Sequence, residues 1–115
     1  MSRKYDPRCP VARTLNVIGD RWAILILRDF FLHGPRRFQD FEASLKGITP
    51  AMLSQRLKEL EAHGVIQGEI YAEHPPRRVY SLTAMGSELR PVLSAMKQWG
   101  ERYLSGTKNQ TPASR

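Results

Sequence analysis

A chain of 115 residues is long enough for one domain with a hydrophobic core and too short for two of ordinary size. Hydrophobic residues make up 41% of it, which excludes a disordered chain, and Lys and Arg number 18 against 11 Asp and Glu. The resulting net charge of +7 favours a polyanionic partner or an acidic membrane surface.

Residues 1–8 are polar and basic and read as a loose arm. Pro10 suits a helix start, and Val11, Leu15 and Ile18 then share a face until Gly19. Asp20 is placed to cap a second helix over 21–33, closed by Gly34 and Pro35. That helix is apolar nearly all round, from Trp22 to Phe31, so it needs cover on both sides. In so short a chain the second cover is expected to be another subunit. After the turn, Phe38, Phe41 and Leu45 repeat at helical spacing and predict a short helix over 39–45.

The next helix carries signals at both ends. Thr49 can accept from free backbone N–H groups, Pro50 fits the first helical position, and Gly64 follows His63 as a left-handed stop. Leu53, Leu57 and Leu60 fall on one side; Ala51, Gln55 and Lys58 point the opposite way with Ser54 beside them. The outer face has no large apolar group and is rich in hydrogen-bonding groups. That suits a reader helix in a DNA major groove, and it equally describes an ordinary solvated surface. Two short helices joined through Lys46–Gly47–Ile48 make a helix-turn-helix unit. Stretches 67–72 and 77–82, rich in Ile, Tyr and Val, flank a proline-rich tip and predict a β-hairpin. A hairpin after a reader helix is a wing, and Arg77 and Arg78 at its tip could reach phosphates or keep the edge strand from pairing with strangers.

Thr83 is placed to cap a last helix over 84–104, with a kink or fresh start at Pro91. Its apolar positions, among them Leu93, Met96, Trp99 and Tyr103, run close to a heptad seam and suit dimerisation. Residues 105–115 are small and polar and are expected to be disordered. The fold class is therefore mainly α with a small β-hairpin, a winged helix-turn-helix.

No catalytic site is legible. His33, His63 and His74 share no metal-ligand spacing with Cys9, no paired carboxylates occur in a perturbing setting, and no glycine-rich loop follows a strand. No metal and no cofactor is expected. A single cysteine excludes an internal disulfide and suits a reducing compartment. The longest apolar run, 22–27, is far too short to span a bilayer, so a cytoplasmic protein without a membrane partner is expected.

In chain order, Cys9–Pro10–Val11, Gly19–Asp20–Arg21–Trp22, Ile26–Leu27–Arg28, Gly34–Pro35–Arg36–Arg37–Phe38, Leu53–Ser54–Gln55–Arg56–Leu57–Lys58–Glu59–Leu60, Gly64, Pro75–Pro76–Arg77, Tyr80–Ser81–Leu82–Thr83 and Gly86 together resemble the HxlR family. These are small bacterial winged-helix transcription regulators related to the MarR group, and the likeness runs from about residue 9 to 104. The resemblance implies a homodimer built from the first and last helices, binding an inverted-repeat site in double-stranded DNA. Val11, Leu15, Trp22, Leu93, Met96, Trp99 and Tyr103 are the interface residues expected of it. Carried over, the major-groove positions are Thr49, Pro50, Ala51, Ser54, Gln55 and Lys58. Arg77 and Arg78 fall on the wing, and Arg36 and Arg37 precede the short helix within reach of phosphates. The family often places an apolar residue and then an acid between the wing arginine and the tyrosine. Here Arg78 and Val79 stand there, which leaves the direction of Arg78 open.

Cys9 precedes Pro10 at a helix N-terminus, a setting that lowers a thiol's pKa. Some members of the family that this chain resembles use a cysteine here to sense oxidants or electrophiles; the alternative is a small cysteine packed under a dimer seam. The residues name no small-molecule effector. The reading is a dimeric, sequence-specific DNA-binding regulator, the alternative being a winged-helix module that binds another protein.

Overall fold

The computed structural model describes residues 8–104. The tail, and all of the arm except Arg8, lie outside the described residues. The helices are α1 (Pro10–Ile18), α2 (Arg21–His33), α3 (Phe38–Ser44), α4 (Pro50–Ala62), α5 (Ala84–Ser87) and α6 (Arg90–Tyr103). Three antiparallel strands, β1 (Arg36–Arg37), β2 (Ile66–Glu73) and β3 (Pro76–Leu82), form one sheet in the order β1-β3-β2.

Local chemistry accounts for most boundaries. The Thr49 hydroxyl accepts from the Met52 N–H at 3.1 Å, and Thr83 accepts from the Gly86 N–H at 3.0 Å, so both caps form as expected. Gly64 takes φ of +83°, the left-handed conformation that stops α4 and turns the chain into β2. Pro91 lies in the first turn of α6, where its missing N–H costs nothing; the expected last helix is thus two helices separated at Glu88 and Leu89.

The core is a single cluster. Ile26, Leu27 and Phe30 of α2 meet Phe41 of α3 and Leu53, Leu57 and Leu60 of α4, closed by Val65 and Ile66 at the start of the hairpin. Phe30 and Phe41 pack edge to face with ring centroids 5.2 Å apart. The buried face of α4 thereby fixes which residues it turns outward.

Two expectations are corrected and a third is qualified. Asp20 precedes α2 without a side-chain cap bond; its carboxylate accepts from Arg56 Nε at 2.6 Å and ties α2 to α4. Arg36 and Arg37 form a third strand, opposite Tyr80 and Val79 of β3, so the wing is a three-stranded sheet. Trp22, expected at a subunit interface, is half-buried: part of the ring packs against the chain's own core and part stays accessible. The first two depend on partners more than 35 positions away, beyond any local pattern.

The one buried charged side chain among the described residues is Asp29, 1% exposed on the inner face of α2. Its Oδ1 accepts from Arg28 at 3.1 Å and its Oδ2 from Arg36 at 3.3 Å and from the Ser44 hydroxyl. Arg36 also donates to the Asp40 carbonyl at 3.1 Å and the Ser44 hydroxyl at 3.2 Å. This network joins α2, β1 and α3.

Candidate nucleic-acid interface

The outer face of α4 is open. Thr49, Pro50, Ala51, Gln55 and Lys58 are exposed, and Ser54 is half-exposed beside them. All six positions singled out from the sequence therefore lie on one accessible surface. Gln55 donates to Glu59 at 3.1 Å across one helical turn. Glu59 also accepts from Arg56 at 3.3 Å, so an exposed acid partly holds the side chains at this end of the face. Such exposed pairs are weak and easily exchanged for other partners.

The four arginines singled out separate into two groups. Arg36 turns inward and is only 14% exposed at its side chain, engaged by Asp29, Asp40 and Ser44; the expected phosphate contact is corrected to an internal tie. Arg78 also departs from expectation. Its Nη2 donates to Glu61 and to the Gly68 carbonyl, both at 3.0 Å. It lies over Gly68, where a Cβ would stand 2.7 Å from the guanidinium. Arg78 thus pins the stem of the wing to α4, its charge met by Glu61. Sequence left its direction open because Val79 replaces the usual pattern; Val79 is half-buried between Arg37 and Glu69, so Arg78 turns to the other face.

Arg37 and Arg77 remain exposed near the wing. The Arg37 backbone N–H donates to Asp40 Oδ2 at 2.9 Å, and this bond holds the Asp40 carboxyl below the usual aspartate range. Tyr71, not singled out from the sequence, faces both arginines. Its phenol is pulled below the ordinary tyrosine range chiefly by hydrogen bonding from Arg37, with Arg77 contributing. A signal existed: Ile70 and Tyr71 are adjacent large residues in a strand and cannot both face inward.

The interface expected for a second subunit is likewise open in the single chain. Val11, Leu15, Met96, Trp99 and Tyr103 are exposed, Trp99 to 59%. Leu93 is half-buried in a cleft of about 490 Å³ between α2 and α6. Cys9 is exposed, and its sulfur accepts from the Ala12 N–H at 3.4 Å at the start of α1. Among the described residues, no three His, Cys, Asp or Glu side chains come together to hold a metal ion, and no helix is long and apolar enough to cross a membrane.

The profile of HxlR-like helix-turn-helix proteins matches residues 17–108. The chain belongs to the HxlR-like helix-turn-helix family. Among HxlR relatives, it is 44% identical over 95 residues to YdeP of Bacillus subtilis, an uncharacterized HTH-type transcriptional regulator, covering 83% of this chain and 73% of YdeP. It is 42% identical over 96 residues to the regulator sll1512 of Synechocystis, covering 84% and 70%. Among solved structures, the redox regulator HypR in its reduced form superposes with a TM-score of 0.78 at 40% identity, covering 84% of this chain and 94% of HypR. The reduced form of YodB from B. subtilis superposes with 0.71 at 31% identity, covering 86% and 98%. The HxlR assignment makes this chain a winged-helix transcriptional regulator of the helix-turn-helix type, and its relatives are regulators and not enzymes.

Proposed function

We propose that the protein binds double-stranded DNA as a homodimer, with α4 of each subunit in the major groove and the wing on the adjacent backbone. The observation that carries this reading is the outer face of α4: slim, hydrogen-bonding and unobstructed, held out by a core that buries Leu53, Leu57 and Leu60. Gln55, Ser54 and Lys58 read base edges; Thr49, Pro50 and Ala51 allow the helix N-terminus to approach closely. Arg37 and Arg77 contact phosphates and supply much of the affinity. The dimer is supported by α6, a helix of 14 residues with an apolar stripe and no buried residue in the single chain. A regulator working inside the cell needs no cofactor for this.

A second role rests on Cys9. Its exposure at the start of α1, the helix expected at the subunit seam, together with the likeness to HypR, supports oxidant sensing through this thiol.

Fluorescence anisotropy with defined and random duplexes across a salt series tests both. Gln55→Ala should flatten the preference among sequences. Arg77→Ala should weaken all duplexes alike and reduce the salt slope by about one per subunit. Equal shifts on every sequence for both variants would assign the roles wrongly. A thiol oxidant should change affinity for the wild type and leave Cys9→Ser unaffected; the same response in both removes the sensing role. A wild type that binds no duplex at low salt points to the protein-binding alternative.

A further inference from the structure

The wing brings together three side chains from three strands. Tyr71 stands at an irregularity of β2, between Ile70, which opposes Arg78, and Ala72, which opposes Arg77. A bulge of this kind adds one unpaired residue and re-aims its side chain. Ile70 and Tyr71, sequence neighbours at this irregularity, are both exposed. Tyr71 lines an open cleft of about 460 Å³ between the start of α3 and the hairpin. Arg77 of β3 lines the same cleft, and Arg37 of β1 lies across Val79 from Glu69, two positions before Tyr71 on β2. Both guanidiniums lie near enough to the phenol to pull it below the ordinary tyrosine range. Arg37 is steadied from α3 by Asp40, whose Oδ2 lies 3.7 Å from its Nε.

Hydrogen-bond capacity decides what this group can hold. A phenol has one donor and two acceptor positions. Two guanidinium groups beside the oxygen can fill its acceptor positions, which leaves its hydrogen to donate outward. Each guanidinium keeps further N–H groups of its own. Two cations and one hydroxyl donor at an exposed spot match an oxyanion bearing several acceptor oxygens.

We propose that Arg37, Tyr71 and Arg77 form a clamp for a single DNA backbone phosphate in each subunit, with the Tyr71 phenol holding both guanidiniums on the same phosphate. The inference rests on the DNA-binding reading above and refines it. Two arginines from different strands serve one phosphate, and a tyrosine positions them.

Anisotropy with one duplex across a salt series tests the clamp in the full chain. Tyr71→Phe keeps the ring and removes the hydroxyl, and should weaken every duplex about tenfold per subunit, the loss of one hydrogen bond to a charged group in each. Arg37→Ala with Arg77→Ala should lower the salt slope by about one per subunit, and lose less affinity than the product of the single losses. A slope change of about two with multiplicative losses, or Tyr71→Phe binding like the wild type, overturns the clamp and leaves DNA binding standing. A wild type that binds no duplex overturns both. Inorganic phosphate at matched ionic strength should compete no better than chloride; competition at low concentration would assign the group to a free anion instead. Phenolate absorbance gives a readout independent of DNA. The difference between wild type and Tyr71→Phe should titrate below the ordinary tyrosine range and move back towards it when Arg37 and Arg77 are alanine. An unchanged midpoint would show that the three side chains do not act together.

Discussion

Asp29→Ala is expected to destabilise the fold by about 3–5 kcal/mol, the usual cost of removing one partner from a buried ion pair. Asp29 is 1% exposed at its side chain and Arg36 only 14%, so the guanidinium left behind keeps its charge, loses its counter-charge and could not make up for it by turning to water. The cost also falls on Ser44 and on the join between α2, β1 and α3, since all three meet at one carboxylate. Against a typical domain stability of about 5–15 kcal/mol, this is a large fraction. Urea denaturation at a fixed protein concentration measures it; the concentration matters because a dimer's unfolding depends on it. Asp29→Ala combined with Arg36→Met should recover part of the loss, because the orphaned charge goes with its partner. A single-variant loss below about 1 kcal/mol, in the range of exposed pairs, would mean that water reaches the network.

The second large effect concerns the subunit seam. Met96→Glu with Trp99→Glu should convert the protein to a monomer and reduce affinity for a two-half-site duplex by about 10²–10⁴-fold, the gain that linking two binding events ordinarily supplies. Both side chains are exposed in the single chain, so neither change strips the core and the helical content should persist by circular dichroism. In a dimer, their carboxylates would lie at an apolar two-fold seam without partners, which is costly. Light scattering gives the mass and anisotropy gives the affinity. A variant that stays dimeric, or a monomer that binds as tightly as the wild type, would place the second subunit elsewhere or remove its importance.

The parts of the fold legible in the sequence were those encoded locally. Thr49 with Pro50 begins α4 and Gly64 ends its turn, and these residues act through their own backbone neighbours. Pro91 marked a break for the same reason. The outward face of α4 followed from helical spacing, since three leucines on one side leave the other to solvent. What stayed illegible depends on partners in other elements. Asp20 resembled a helix cap and instead meets Arg56 from α4. Arg36 resembled a surface cation, but the buried acid on the inner face of α2 draws it inward. Arg78 was left without a direction because that direction depends on how Val79 is seated, and it turns to Glu61 and Gly68 rather than outward from the wing. α2 looked too apolar for one chain to cover, yet the chain's own core takes part of the Trp22 ring. Tyr71 was hidden by a bulge, and a bulge leaves almost no trace in a strand's composition.

The central claim is that two copies of the chain present their α4 faces to one double helix. Selection from a pool of random duplexes with the wild-type protein, followed by sequencing, tests it most directly. The account predicts enrichment of inverted repeats whose half-sites are centred about one helical turn apart, roughly 10 base pairs, or a multiple of it. That enrichment should fade when Gln55 is alanine. Recovery of no preferred sequence, or of a lone asymmetric half-site with the dimer intact, would contradict it.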